Sequence, residues 1–418
     1  MTSAVFRPSL LHRLWRLLPA SGRRRAGSEA AAWLAPRIDR CPPPAQHGIA
    51  VAGELSRYSG LGEGARLFRL GLDAAGVANW PVDVSRYLPA GASGTRPVKG
   101  EPPPEAAPLV IHVNAPLLPL VLLRLPRRLS RGRRVIGFWN WELPDVPPDW
   151  SAGARFVHEV WVPSAFTAAA MERLLPGKVR VVPFPLAVVP PMPPVRDRAS
   201  FRLPQDAIVV LVSLNLASSF ERKNPLAAIA AFRAAFGKRL DRILVLKIGN
   251  PDHFPADFIR IVDAAGGALN IRFDIRSYPA AASLALTAAA DIVMSLHRAE
   301  GFGLVLAEAM LLGKPVIATG WSGNMGFMDA DSAALVGYRL VPVEDPRQVY
   351  RDSYWAEPDV DEAVAHLRRL AEDADARAAL GARGKALASE RLGIGPLADA
   401  VRGLGLAVGS SAGPDRPR

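Results

Sequence analysis

The sequence predicts an α/β protein built from two doubly wound domains, and three observations carry that expectation. The chain has 418 residues, half of them hydrophobic, which is more than one ordinary core holds. Short apolar runs alternate with helical stretches along most of its length. The alternation is interrupted at 185–196, where Pro185, Pro190, Pro191, Pro193 and Pro194 read as an interdomain linker. Strands alternating with helices on both sides of a linker imply a parallel sheet in each half.

Residues 1–40 form a basic extension. Arg7, Arg13 and Arg16 interrupt Leu10, Leu11, Leu14, Trp15, Leu17 and Leu18, so no secretory signal is read. With Arg23, Arg24 and Arg25 the segment reads as an interfacial amphipathic helix or as a disordered extension. The first domain, 41–190, is expected to hold strands at 48–55, 109–113, 134–138, 158–162 and 178–182, a helix at 64–76 and a long Pro- and Gly-rich loop at 89–108. The longest apolar run, Ala106 to Leu123, is broken by Pro108, Pro116 and Pro119 and does not read as a membrane span. It leads into Arg124, Arg127, Arg128, Arg131, Arg133 and Arg134. That is either a second membrane-facing patch or a Leu-packed helix with a solvated arginine end.

The second domain, 197–375, is expected to run strand 207–214, helix 224–236, strand 242–248, helix 255–265, strand 270–274, helix 280–289 and then a strand–loop–helix unit. Residues 360–373 and 376–404 read as helical, and 405–418 as a disordered tail. No internal repeat is evident.

Composition narrows the partners. A single cysteine, Cys41, forms no internal disulfide, and a reducing cytoplasm fits best. Residues 1–200 hold 26 Lys and Arg against 14 Asp and Glu, while 201–418 hold 25 of each, so the whole net charge of +12 belongs to the first half. Such a half seeks an anionic partner: a membrane surface, nucleic acid or a phosphorylated acceptor. No zinc spacing, RNA-recognition signature or basic-zipper pattern accompanies it, so nucleic acid is not expected.

The chemistry concentrates in Glu300-Gly301-Phe302-Gly303-Leu304-Val305-Leu306-Ala307-Glu308. It lies between the apolar runs 291–296 and 315–319, with Leu304 to Leu312 as the connecting helix and Gly313 as its stop. The glycines therefore stand where a strand ends and a helix begins, and bare N–H groups at the positive end of a helix dipole make an anion site there. Two carboxylates beside such a cradle suit a ligand that carries both phosphates and hydroxyls, and a nucleotide sugar is one. Arg222 and Lys223 precede Pro225, which sits near another helix start, and two cations at that place suit a diphosphate. Lys247, at a strand end, points toward the same crevice. His297 either lines this donor site or caps its strand. Asp329–Asp331 and Asp373–Asp375 match a short D-x-D pattern in the wrong context, so no metal is expected.

The Glu300–Glu308 segment resembles the E-x7-E motif of the retaining GT-B glycosyltransferases of family 4, the glycosyl transferases group 1. The resemblance is strong from about 205 to 345, weaker back to about 48, and absent from 1–40 and the last ten residues. It implies two Rossmann-like domains facing a central cleft, with C-terminal helices crossing back to brace the first. It implies that Glu300 contacts the transferred sugar and Glu308 the nucleotide ribose. Arg222, Lys223, Lys247, Gly301, Phe302, Gly303 and Leu304 then complete the donor site, and the departing phosphate takes the acceptor proton. Family members commonly carry an arginine six residues before the lysine; here that position is Ala217, and Lys247 is the candidate substitute. In the first domain the resemblance points to the glycine loop at Gly60 and Gly62, on the acceptor side or across the cleft from the donor phosphates, and to Asn114 where many members have a histidine near the transferred sugar. Trp139-Asn140-Trp141-Glu142, aromatics beside a carboxylate, reads either as sugar or acceptor recognition or as core tryptophans. The implied partners are a nucleotide-sugar donor and a glycan or lipid-linked sugar acceptor, with no cofactor, in bacterial surface polysaccharide synthesis at the inner face of the plasma membrane. Alternative readings are a nucleotide-sugar epimerase, an NAD-dependent oxidoreductase using the Gly60 loop with Asp83 on the ribose, and a non-catalytic sugar-nucleotide-binding subunit.

Overall fold

The computed structural model describes residues 20–88, 97–188 and 197–409. The first domain holds strands β1 (Ile49–Gly53), β2 (Asn79–Asp83), β3 (Leu109–Ile111), β4 (Val135–Phe138), β5 (Glu159–Val162) and β6 (Val179–Val181) in the parallel order β2-β1-β3-β4-β5-β6. The second holds β7 (Ile208–Asn215), β8 (Arg242–Gly249), β9 (Ile271–Asp274), β10 (Ile292–Ser295), β11 (Val316–Thr319) and β12 (Ala334–Val336) in the order β12-β11-β10-β7-β8-β9, also parallel. β1 and β3 are buried along their whole length, as parallel strands covered on both faces by helices must be.

The helices used below are α1 (Ala20–Leu34), α2 (Gly60–Ala74), α3 (Leu118–Arg124), α4 (Ala165–Glu172), α5 (Phe220–Lys223), α6 (Pro225–Phe236), α7 (Pro255–Ala265), α8 (Ala280–Ala289), α9 (Leu304–Leu311), α10 (Val360–Glu372), α11 (Ala374–Arg391) and α12 (Gly395–Gly403). Most sequence expectations agree with them within one or two residues. The expected 376–404 helix is instead two, because Leu392 leaves the helical conformation and Gly393 follows. α12 crosses back as expected. Its Leu397 and Val401 lie in one apolar cluster with Ile49, Phe68 and Leu72 of the first domain and Val209, Phe302 and Leu306 of the second. The two domains thus share a core.

Two terminal expectations need correction. Residues 20–34 are a helix docked on the first domain, where Ala31 and Ala35 are buried and Glu29 pairs with Arg155 at 2.7 Å. The tail remains attached through 409, whose N–H donates to Ala75 O at 3.0 Å. Residues 1–19, most of the expected linker (189–196) and 410–418 lie outside the described residues.

Sequence periodicity missed β2, where Pro81 occupies an edge strand, the place a sheet tolerates it. It also missed an antiparallel hairpin, β13 (Tyr338–Pro342) and β14 (Tyr354–Pro358). The arginine patch after α3 is in part a structural end. Arg133 is buried and donates to the carbonyls of Pro103, Pro104, Ala107 and Arg128, and Arg134 pairs with Glu159. Leu118, Val121 and Leu122 face the core. Among the described residues no helix is long and apolar enough to cross a membrane.

Candidate functional site

The loop between β10 and α9 carries Glu300. The residue is 8% exposed, and its carboxylate lies between two cations: Lys223 donates to Oε1, and Arg222 Nη1 approaches Oε2 at 3.3 Å. Burial alone would raise the pKa of this carboxyl, but Lys223 and then Arg222 overcome it and hold the group at about 2. Glu300 is therefore ionised at neutral pH. Its main chain is fixed too, the N–H donating to Ser322 Oγ at 2.8 Å and the carbonyl accepting from Gly323 N–H at 2.8 Å.

Arg222 and Lys223 do not stand at a helix N-terminus, as the sequence suggested. They form the last turn of α5, which Ser219 caps, and the left-handed Asn224 separates them from Pro225 at the start of α6. A helix C-terminus favours cations, so no anion is needed to justify them there. Arg222 turns inward. It is 3% exposed and donates to Ala299 O at 2.7 Å and Ser218 O at 2.9 Å, with the Tyr350 ring 5.8 Å away and Glu142 at 3.8 Å. This arginine anchors the Glu300 loop rather than offering an open fork to phosphate. Lys223 keeps a fifth of its side chain exposed. Two buried donors beside it, Arg222 Nε and Asn224 Nδ2, lack an acceptor among the described residues.

α9 begins at Gly303, whose φ of +98° requires glycine, and no side chain caps the helix start. The Phe302 ring is buried between Phe184 and Phe327, so only its backbone is available to a ligand. Glu308, the fifth residue of α9, is half-buried and makes no ion pair among the described residues. Burial, with Glu63 of the first domain adding repulsion, pushes its pKa up to about 8.

The remaining predicted residues divide. Glu142 comes from the first domain into this site, accepting from Tyr350 OH at 3.2 Å and facing Arg222. Asn114 is tied to Asn140 by two bonds of 2.9 Å, so its amide positions that loop. Lys247 lies two residues inside β8 and donates to Arg276 O at 2.7 Å over the Tyr278 ring, on the side of β9. His297 is fully buried, bonding Ser295 Oγ at 3.0 Å and Asn324 Oδ1 at 3.1 Å. It ties β10 to the loop after β11.

The Gly60 loop is closed. Ser59 Oγ accepts the Gly62 N–H at 3.0 Å, and a Cβ at Gly62 would stand 2.5 Å from Glu54 O. Gly60 itself has open space. Asp83, the ribose candidate of the oxidoreductase reading, already accepts from Ser85 N, Ser85 Oγ and Val98 N. Asp329 closes a turn on Asp331 and Ser332, and Asp373 caps α11.

Sequence reasoning missed Ser164, Thr167, Ser322, Gly323, Asn324 and Tyr350, all within this site. Ser164 carried one legible signal, as an N-cap before an apolar helix. Tyr350 lies in a stretch with no periodicity to read.

The sequence matches the family described as "Family 4 Glycosyltransferase in conflict systems" over residues 168–389. No curated protein matches it. Among solved structures, HepE of Anabaena in complex with UDP and glucose is similar at TM-score 0.56 and 14% identity, covering 86% of this chain and 99% of that one. Sucrose-phosphate synthase of Thermosynechococcus elongatus is similar at TM-score 0.52 and 18% identity, over 71% and 73%. TarM of S. aureus, in complex with Fondaparinux, alpha-GlcNAc-glycerol and UDP, gives 0.52 and 12%. There the match spans 71% of this chain but 55% of that one. These likenesses confirm the fold: α/β, GT-B, two Rossmann-like domains. With more than half of its length inside the family match, this chain belongs to the family 4 glycosyltransferases of conflict systems.

Proposed function

We propose that the chain transfers a sugar from a nucleotide-sugar donor to a glycan or lipid-linked acceptor with retention of anomeric configuration. The observation that carries this is the juxtaposition at α9. An ionised Glu300 with Lys223 beside it meets a helix start with no side-chain cap, and an unpaired carboxyl, Glu308, follows along the same helix. A diphosphate fits the N–H groups at Gly303 and Leu304 with Lys223 alongside. Glu308 is placed to accept from a ribose diol, and Glu300 to orient the sugar and support its oxocarbenium-like charge. The complexes of HepE and TarM with UDP support a uridine nucleotide as the first to test. No side chain stands out as a covalent nucleophile, which suits a departing phosphate that takes the acceptor proton.

Calorimetric titration of UDP-, GDP- and dTDP-sugars tests the donor class. One set is expected to bind, and nucleotide release is expected only with acceptor present. Release without acceptor, or NAD(H) binding in place of every nucleotide sugar, would overturn the reading. Proton NMR of the product tests retention, and the same assay is expected to keep its rate in EDTA.

A further inference from the structure

The Glu300 loop is held from both domains. On the side of its own domain, Ser322 and Gly323 bond the backbone of Glu300, and Arg222 bonds Ala299 O. On the other side the first domain reaches across. Ser164, the residue that caps α4, places its hydroxyl 2.7 Å from the carbonyl oxygen of Gly301. Thr167, one turn later, donates to Trp141 O at 2.8 Å and lies 3.4 Å from the same Gly301 oxygen. Ser164 and Thr167 are 3% and 0% exposed, so these contacts exclude water.

Each hydroxyl has one proton to give. Ser164 Oγ accepts the Thr167 N–H at 3.2 Å as the helix cap, which leaves its own proton for Gly301 O. Gly301 and Gly323, which face each other across this loop, both need a bare backbone. A Cβ at 301 would come within 3.0 Å of Trp141 O, and a Cβ at 323 would collide with Gly301 O. The carbonyl of Gly301, the residue that follows Glu300, is thus fixed between a serine of one domain and a glycine of the other.

We infer that Ser164 is a positioning residue for Glu300: docking of the first domain onto Gly301 O sets the loop that aims the carboxylate. Glu142 reinforces this from the same domain, since it faces Arg222, the cation that holds the other end of the loop. The inference rests on the proposed role of Glu300 for its kinetic consequence, but not for its structural one.

Three substitutions separate the latch from the helix cap. Ser164→Thr keeps both the cap and the proton. Ser164→Asp keeps a cap but sets an acceptor against the Gly301 carbonyl, and Ser164→Gly keeps most of the capping without any donor. Peptide-level hydrogen exchange over 299–304 reads the loop without ligand or turnover. Exchange is expected to rise severalfold in the Asp and Gly variants and to stay at the wild-type level in the Thr variant. With the nucleotide sugar that supports transfer, kcat is expected to fall about three- to tenfold in Ser164→Gly and further in Ser164→Asp, while donor Kd holds within twofold. Equal exchange in all folded variants would overturn the inference, as would loss of donor affinity with kcat intact. If no nucleotide sugar is turned over by the wild type, the functional proposal fails, while the exchange result still decides the latch.

Discussion

Each domain of this molecule carries a strand, a glycine-bearing loop and a helix at the corresponding place, and the two differ in what closes the helix. At the start of α2 the N-terminal groups already have a partner in Ser59. Gly64, like Gly62, is there for close packing, against the Phe184 ring. At the start of α9 the cap position is Gly303, no side chain closes the helix, and a lysine and a buried carboxylate stand beside it. Glycine spacing alone therefore does not locate a phosphate site. What separates the two loops is whether a protein group has taken the N–H donors.

The comparison breaks most sharply at Glu300. Glu300→Gln keeps the shape and removes the charge proposed to assist the transition state, so kcat is expected to fall about 10²-fold with a smaller change in KM. It also leaves Arg222 and Lys223 short of a counter-charge inside the protein, a loss on the order of 3 kcal/mol in stability. The sign with pH follows from the depressed carboxyl. Its contribution is complete above about pH 4.5 and is lost as pH falls toward 2, so the acid limb of a denaturation profile flattens in the variant. Full turnover in folded Glu300→Gln would remove the residue from the chemistry.

Glu308 gives the next effect. Glu308→Ala is expected to weaken donor binding by about 1–3 kcal/mol in calorimetry. Its carboxyl is raised, so the folded protein holds a proton that the unfolded chain releases, and stability falls as pH rises from 4.5 toward 8. Glu308→Gln should remove that slope. A profile unchanged between pH 5 and 8 would contradict the burial of this group in a cleft.

On the α2 side, Ser59→Ala should cost about 1 kcal/mol of stability through the lost cap and leave donor affinity alone. A donor defect in this variant would make the two loops partners rather than opposites.

The smallest effect concerns the basic first half. We expect weak, salt-sensitive co-sedimentation with anionic liposomes, about 1 kcal/mol per basic residue near the surface at low salt. Trp33 and Leu34, 85% and 59% exposed at the end of α1, supply apolar contact. The arginines after α3 offer less than their number suggests, because Arg133 and Arg134 are engaged in the fold. No co-sedimentation at low salt would assign the charge to an anionic acceptor.

Much of the second domain was legible because its elements obey local rules. Strands such as 207–214 are nearly continuous apolar runs, interrupted there only by Ser213, and Pro255, Gly266 and Gly313 mark helix ends by their own stereochemistry. Glu300, Lys223 and Glu308 stood out as candidates for a related reason: their chemistry is conspicuous near a strand–helix junction. Arg222 was legible as a site residue but not in its direction, since only the packing of Ala299, Ser218 and Tyr350 turns it inward. Ser164 was legible at most as a helix cap and Tyr350 not at all, and neither showed its partner in the site. Their partners lie 137 and 208 positions away, at Gly301 and Glu142, and nothing in the local sequence reports a contact between domains. The edge strand β2 was hidden by its proline for a local reason of the opposite kind.

The donor is proposed to bind at α9 and not at α2. Calorimetric titration of UDP, GDP and dTDP into wild type, Glu308→Ala and Ser59→Ala tests it directly. One nucleotide is expected to bind the wild type and the Ser59→Ala variant alike and to bind Glu308→Ala about five- to 150-fold more weakly. Undiminished binding by Glu308→Ala together with weakened binding by Ser59→Ala would contradict it.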